Sequence, residues 1–209
     1  MMARRTARVF INCPFDSEYW PLFEVLVFTV IGCGLRPSSA LQESDSATSR
    51  IDKIVRLIRD ADFGIHDLSR VGLDSKTSLP RFNMPFELGL DLGCRRFGSP
   101  KQRRKKILIL DSKRFRFQAF ISDIAGQDIS IHENDTSKLF KVVRDFLAAN
   151  LSKRRVPGQA RLESEFRTFA RELPGFCEQA GLDRTELAFP DFVRFATKFV
   201  HQARTLGRL

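Results

Sequence analysis

Residues 22–35 form a nearly apolar stretch of 14 interrupted by one charge, Glu24. Crossing a bilayer takes about 20 such residues, so the stretch is too short to be a membrane span. The pattern predicts a helix over about 18–31, with Pro21 in the first turn, where a missing N–H costs nothing. Its Leu22, Phe23, Val25, Leu26, Val27, Phe28, Val30 and Ile31 leave no polar face. A surface helix cannot look like this. Either its own chain buries it deeply, or its outer face meets another subunit, which keeps a homo-oligomer in view. Gly32 and Gly34 read as the stop of this helix and not as a phosphate-binding Gly-x-Gly, which would have to follow a strand.

Around this helix, strand and helix patterns alternate. Residues 9–12 are β-branched and aromatic, 35–41 read as a weaker strand, 61–67 as a third and 128–132 as a fifth. The clearest is the fourth, Ile107-Leu108-Ile109-Leu110, an unbroken apolar run of the kind buried on both faces in a parallel sheet. Between them, residues 49–60 place Ile51, Ile54, Val55 and Ile58 on one helical face, 82–94 form a helix opened by Pro80 or Pro85, and 136–151 carry Leu139, Phe140, Val143, Phe146 and Leu147 at helical spacing. Five alternations predict an α/β fold, a doubly wound five-stranded parallel sheet covered on both faces, occupying residues 1–151. Residues 152–158 read as a linker. Beyond it, 157–209 form a Phe-rich helical appendage: Leu162, Phe166, Phe169, Leu173 and Phe176 recur at steps of three and four, and Phe192, Phe195, Phe199 and Leu206 do so after Pro190. Packing on the sheet domain is the simpler reading of this tail; self-association or partner docking is the other.

Four widely spaced cysteines with no Cys-x-x-Cys pair, and only three histidines, argue against a zinc site or a disulfide framework. All four thiols are expected free, no metal or cofactor is expected, and the direct run from the amino terminus into a strand points to a cytoplasmic protein rather than to a signal peptide or a membrane. The net charge of +10 is local. Residues 95–116 hold ten basic side chains against Asp111 alone. Charge runs are usually solvated faces, so nucleic acid is expected to bind weakly and without sequence preference, if at all, through Arg95 to Lys106.

In an open parallel sheet, ligands bind beyond the carboxyl ends of the strands. The loops there carry Asn12, Cys13 and Asp16 after the first strand, Gln42, Glu43, Ser44 and Asp45 after the second, and His66, Asp67, Ser69 and Arg70 at the third. Glu87 follows at the start of the next helix. An acid in a first helical turn is favoured by the helix dipole alone. Against that, a carboxylate flanked by Phe82, Met84, Pro85 and Phe86 is partly desolvated, and a desolvated carboxyl near an Asp is how a nucleophile is tuned against an acid or base. No P-loop, Gly-x-Ser-x-Gly or His-Glu-x-x-His occurs.

Val9-Phe10-Ile11-Asn12 with Cys13-Pro14-Phe15, residues 61–69 ending His66-Asp67-Leu68-Ser69, and Asn83-Met84-Pro85-Phe86-Glu87-Leu88-Gly89 together resemble the nucleoside 2-deoxyribosyltransferase-like proteins and the related bacterial Toll/interleukin-receptor-like domains. The resemblance covers residues 7–132 and implies a flavodoxin-like sheet. It also implies that Glu87 attacks or stabilises the anomeric carbon when an N-glycosidic bond breaks, with Asp67 the strand-end carboxylate that orients substrate or moves a proton. The activity implied is that of a hydrolase or transferase acting on a nucleoside or nucleotide, NAD included, in a bacterial defence or regulatory setting. Asp16 and Asn83 become candidates for the sugar hydroxyls, Asn12 for substrate binding, and Arg50 or Arg70 for a phosphate where the substrate carries one. The rival reading is a non-catalytic nucleotide-signal sensor or nucleic-acid-associated scaffold, in which the basic segment meets phosphate.

Overall fold

The computed structural model describes residues 6–72, 79, 81–151 and 156–209. Parts of the predicted loop over 69–80, Pro80 included, and of the linker over 152–158 lie outside the described residues. The elements run β1 (Arg8–Asn12), α1 (Trp20–Gly32), β2 (Arg36–Ser38), α2 (Arg50–Asp60), β3 (Phe63–Asp67), α3 (Asn83–Phe97), α4 (Pro100–Arg103), β4 (Lys106–Asp111), β5 (Ile129–Ile131), α5 (Thr136–Asn150), α6 (Gln159–Gln179) and α7 (Phe189–Thr205). All strand pairs are parallel and the order is β2-β1-β3-β4-β5, the flavodoxin-like arrangement.

The register fixes which side chains face which layer. Asn12 pairs with His66, and Asp67 with Leu110, so these residues stand together at the carboxyl edge. Side chains alternate along a strand. Val9, Ile11, Phe63, Ile65, Leu108 and Leu110 therefore join the core with α1 and α5, while Phe10 meets Ile54, Leu57 and Ile58 of α2 on the opposite face. Met84 and Leu88 of α3 pack with Ile109 on that second face.

Helix α1 is buried from Leu22 to Gly32, and its own chain does the burying. The sheet and α5 cover one side; α6 and α7 cover the other with Leu162, Phe169, Leu173, Phe189, Phe192, Phe199 and Val200 in the same core cluster. Phe28 of α1 stacks on Phe169 at 5.4 Å between ring centroids, and Phe169 in turn touches Phe192 and Phe199 at 5.5 and 5.4 Å. The tail also satisfies the one charge of α1. Arg184, in the connection between α6 and α7, hydrogen-bonds Glu24, which also accepts from Trp20 Nε1 at 2.9 Å. The appendage thus adds a further layer outside α1, and among the described residues no helix is long and apolar enough to cross a membrane.

Two elements differ from expectation. The second strand shrinks to three residues, because the Ser39 hydroxyl accepts from the Leu41 amide and starts a 3-10 turn over Ala40–Gln42. The basic segment is ordered structure: α3 runs on to Phe97, and a capping box between Ser99 and Gln102 starts the short α4. All four cysteines are free.

Truncating a fully buried phenylalanine costs about 3–5 kcal/mol. Because Phe169 joins the tail to α1, Phe169→Ala should destabilise the whole chain by that amount in a single urea transition. Two separate transitions, with the sheet domain melting as in the parent, would show that the tail folds independently.

Candidate active site at the carboxyl edge

The site is built where β1, β3 and the start of α3 meet. Helix α3 begins at Asn83, so Glu87 lies in its second turn and the first turn holds no acid. A helix dipole acts mainly within the first turn, and this removes the structural explanation available from sequence. Glu87 is only 6% exposed, and burial pushes its carboxyl up to about 7, against a smaller opposing pull from the Arg50 guanidinium at the start of α2. The flanking aromatics contribute less to this desolvation than their sequence positions suggest. Phe82 and Phe86 are both more than half exposed, and it is Met84, Pro85 and Leu88 that are buried beside the glutamate.

Asp67 stands on the other face of the sheet and is sealed. Its Oδ2 accepts from the Tyr19 hydroxyl at 2.5 Å and its Oδ1 from the Ser69 amide at 2.8 Å. His132 Nε2 lies 3.1 Å from Oδ2, off the best hydrogen-bond direction. Burial alone would raise the Asp67 carboxyl, but His132, then Tyr19 and the Ser69 amide, hold it below the usual carboxylate range. The Asn134 amide donates to His132 Nδ1, so the imidazole proton sits on Nε2, the atom facing Asp67. A carboxylate with these partners and no exposed surface organises its surroundings: it fixes Tyr19 at the entry to α1 and the turn into Ser69.

Cys13 lies just past β1. Burial, and then the negative charges of Asp67, Glu87 and Asp16, push its thiol well above the ordinary value. Asp16 accepts the Tyr19 amide at 3.0 Å and stands 3.9 Å from Arg70 and 3.7 Å from Arg81. Arg70 makes its closer ion pair with Glu18, at 2.7 Å. Asn83 is exposed as the first residue of α3, and Arg50 is exposed as the first of α2. The Ser69 hydroxyl is buried without a hydrogen-bond partner among the described residues. The polar residues after β2 stay out of this arrangement: Glu43 pairs with Arg56, and Asp45 closes its own turn onto Ala47 and Thr48.

Asn12 is buried and turned inward. Its amide nitrogen donates to the Met84 carbonyl at 2.9 Å and to His66 Nδ1 at 3.0 Å. With Nδ1 accepting, His66 is neutral and its Nε2 proton points to Asp91 Oδ2 at 2.9 Å. Asp91 Oδ1 accepts from Lys105 Nζ at 2.7 Å, and Lys105 also donates to the Ile58 carbonyl. Gly64 makes room for this chain, since a Cβ there would lie 2.3 Å from Asp91 Oδ2. The line Lys105–Asp91–His66–Asn12 therefore ends on the backbone one turn before Glu87. Asp91 is four residues after Glu87, a helical spacing that placed a second acid on the same face; Tyr19, Lys105 and His132 gave no comparable signal.

Among the described residues no group of three or more His, Cys, Asp or Glu is placed to hold a metal ion. No protein-family model matches this chain, and no curated protein does.

A carboxyl raised in the folded state contributes stability that is complete below its unfolded value, near 4.5, and is lost as pH rises through about 7. Glu87→Gln removes that loss. The variant should match the parent in urea melts at pH 4 and exceed it by about 1–3 kcal/mol at pH 8. Equal destabilisation at both pH values would instead give Glu87 a packing role.

Proposed function

We propose that this protein breaks the N-glycosidic bond of a nucleoside or nucleotide, with Glu87 as the carboxylate that meets the anomeric carbon. The observation that carries this reading is a glutamate buried at the ligand-binding edge of a flavodoxin-like sheet, outside the reach of its helix dipole and raised to about 7. A group so placed is partly ionised at neutral pH, and burial makes its charge count for more against an oxocarbenium-like centre. The likeness of the segments over 61–69 and 83–89 to the nucleoside 2-deoxyribosyltransferase-like and Toll/interleukin-receptor-like proteins points to the same chemistry.

On this reading the Glu87 oxygen forms a bond to the anomeric carbon as the bond to the base breaks, the base leaving with the electron pair. Water or a second base then displaces the glutamate. Arg50 favours the ionised form of Glu87 and is exposed beside it, where a substrate phosphate would find a cation. Asn83 and Asp16 are the groups left for sugar hydroxyls; Arg70, held by Glu18 and Asp16, is a weaker phosphate ligand than Arg50. Asn12 and Asp67 act as positioning residues, the first through the Met84 carbonyl and the second through Tyr19.

One observation favours the rival, a nucleotide sensor without catalysis: Asp67 has no open oxygen for a substrate. The deciding measurement is base release from nucleosides, deoxynucleosides and NAD. The parent should release base from at least one of them, and Glu87→Gln should lose turnover by two or more orders of magnitude with its fold intact. Comparable turnover in both proteins would remove Glu87 from the mechanism. No release by the parent, combined with nucleotide-induced stabilisation in a melt, would establish the sensor.

A further inference from the structure

The cations of the basic segment gather at one corner of the fold, at the opposite end of the sheet from Glu87. Lys106 opens β4 and pairs in register with Phe63, the first residue of β3, so the corner lies at the amino edge, about 15–20 Å of strand away from the carboxyl edge. Arg95 and Arg96 close α3, Lys101 and Arg103 lie on α4, and Arg104 and Lys106 flank Lys105. Lys105 alone is buried. Its ammonium is clamped by Asp91 and the Ile58 carbonyl, which anchors the corner and leaves its two neighbours outside. The six remaining cations are exposed within twelve residues of chain.

These charges are poorly neutralised. Lys101 stands 3.8 Å from Asp62, and Arg103 turns its Nε to the Gly98 carbonyl at 3.0 Å. Among the described residues, no carboxylate pairs with Arg95, Arg96, Arg103, Arg104 or Lys106. The helix dipole accounts for two cations at the end of α3, and the four-residue α4 has only a weak one for Arg103 and Arg104, while Lys106 opens a strand and has none. Between the two halves of the cluster sits Phe97, 83% exposed, the most exposed large apolar side chain described. Water is a poor neighbour for a bare phenyl ring, and a ring flanked by guanidinium groups is what a flexible polyanion with aromatic bases fits: phosphates meet the arginines and a base stacks on the ring. An anionic membrane would call for a broad apolar face to insert, and here the apolar surface is a single ring.

We propose that the corner formed by Arg95, Arg96, Phe97, Arg103, Arg104 and Lys106 binds single-stranded nucleic acid, without sequence preference, at a site separate from the Glu87 edge. Binding is electrostatic in strength, and the preference for single strands comes from Phe97. With about four phosphates neutralised, affinity should fall roughly 50-fold between 50 and 200 mM salt.

The test measures anisotropy of a fluorescein-labelled thymidine 20-mer, alone and as a duplex with its complement, against the full chain at 50 mM salt. Replacing Arg95, Arg96, Arg103 and Arg104 together by Gln should weaken binding of both forms at least tenfold while the melting temperature stays near that of the parent. Phe97→Ala should weaken the single strand about tenfold and leave the duplex unmoved. Glu87→Gln should bind as the parent does, which separates this result from the fate of the glycosidase reading. Absent binding at 50 mM salt, binding indifferent to the four-arginine change, equal loss of both forms with Phe97→Ala, or retention on phosphatidylserine vesicles in preference to the 20-mer would each overturn the proposal.

Discussion

A helix with no polar face has to be enclosed, and in this chain the enclosure of α1 organises the rest. A parallel sheet can cover one side of such a helix, and α5 extends that cover, but the outer surface would still carry Phe28 and its neighbours into water. Each buried aliphatic or aromatic side chain of this kind contributes about 1.5–3 kcal/mol when removed from solvent. The Phe-rich tail supplies the missing surface and, through Arg184, the counter-charge for Glu24. One requirement thus accounts for the aromatic character of α6 and α7. It also fixes the entry of α1, where Tyr19 meets Asp67 at the carboxyl edge.

On the other face of the sheet the organising device is polar. Lys105, Asp91, His66 and Asn12 form a fully buried line from the amino edge to the carboxyl edge. Burying a lysine and an aspartate together is costly unless both find further partners, and here every member has them: the Ile58 carbonyl for Lys105, a neutral imidazole for Asp91, the Met84 carbonyl for Asn12. A line of this kind adds little net stability compared with apolar residues. What it does is fix geometry, because each side chain has one orientation that satisfies its neighbour. It sets the start of α3, and with it the position of Glu87, while the same lysine holds the basic corner in place.

The fold was legible because it rests on patterns that burial imposes on sequence. The unbroken Ile107–Leu110 run and the alternation of strand and helix point to a parallel sheet, and the featureless apolarity of α1 requires that it be enclosed, by its own chain or by another subunit. The tail was legible in the spacing of Phe166, Phe169, Leu173 and Phe176. The candidate site was legible in part. Glu87, Asp67, Asn12 and Asp16 stood out as polar residues near strand ends, and the structure places Asn12, Asp67 and Glu87 in buried positions and leaves Asp16 at the start of the turn into α1. Their separate environments were not legible, because exposure and hydrogen-bond partners come from residues distant in sequence. Tyr19 lies 48 positions from Asp67, and Asn12 lies 72 from the Met84 carbonyl it holds. The basic segment was legible only as a run of charge: nothing in ten cations shows that one of them, Lys105, is an internal anchor.

Asp67 and Glu87 show how one edge of a sheet can set two carboxyls apart. Both are withdrawn from water, and withdrawal by itself raises both. Asp67 is given hydrogen-bond donors on each oxygen and stays charged; Glu87 receives only the field of a single arginine and rises to about 7. The difference is built from the faces of the sheet. Strand alternation turns Asp67 toward α1, whose entry provides Tyr19, while Glu87 is on α3, where Met84, Pro85 and Leu88 give it apolar neighbours. A carboxyl left short of partners in this way destabilises the ionised folded state, and the enclosed core around α1 is what allows the chain to carry that cost. The cost falls when a ligand brings a cationic or electron-poor centre to Glu87. An N-glycosidic substrate does this at the moment its bond to the base breaks, so the same desolvation that weakens the fold above pH 7 would favour the transition state over the bound substrate.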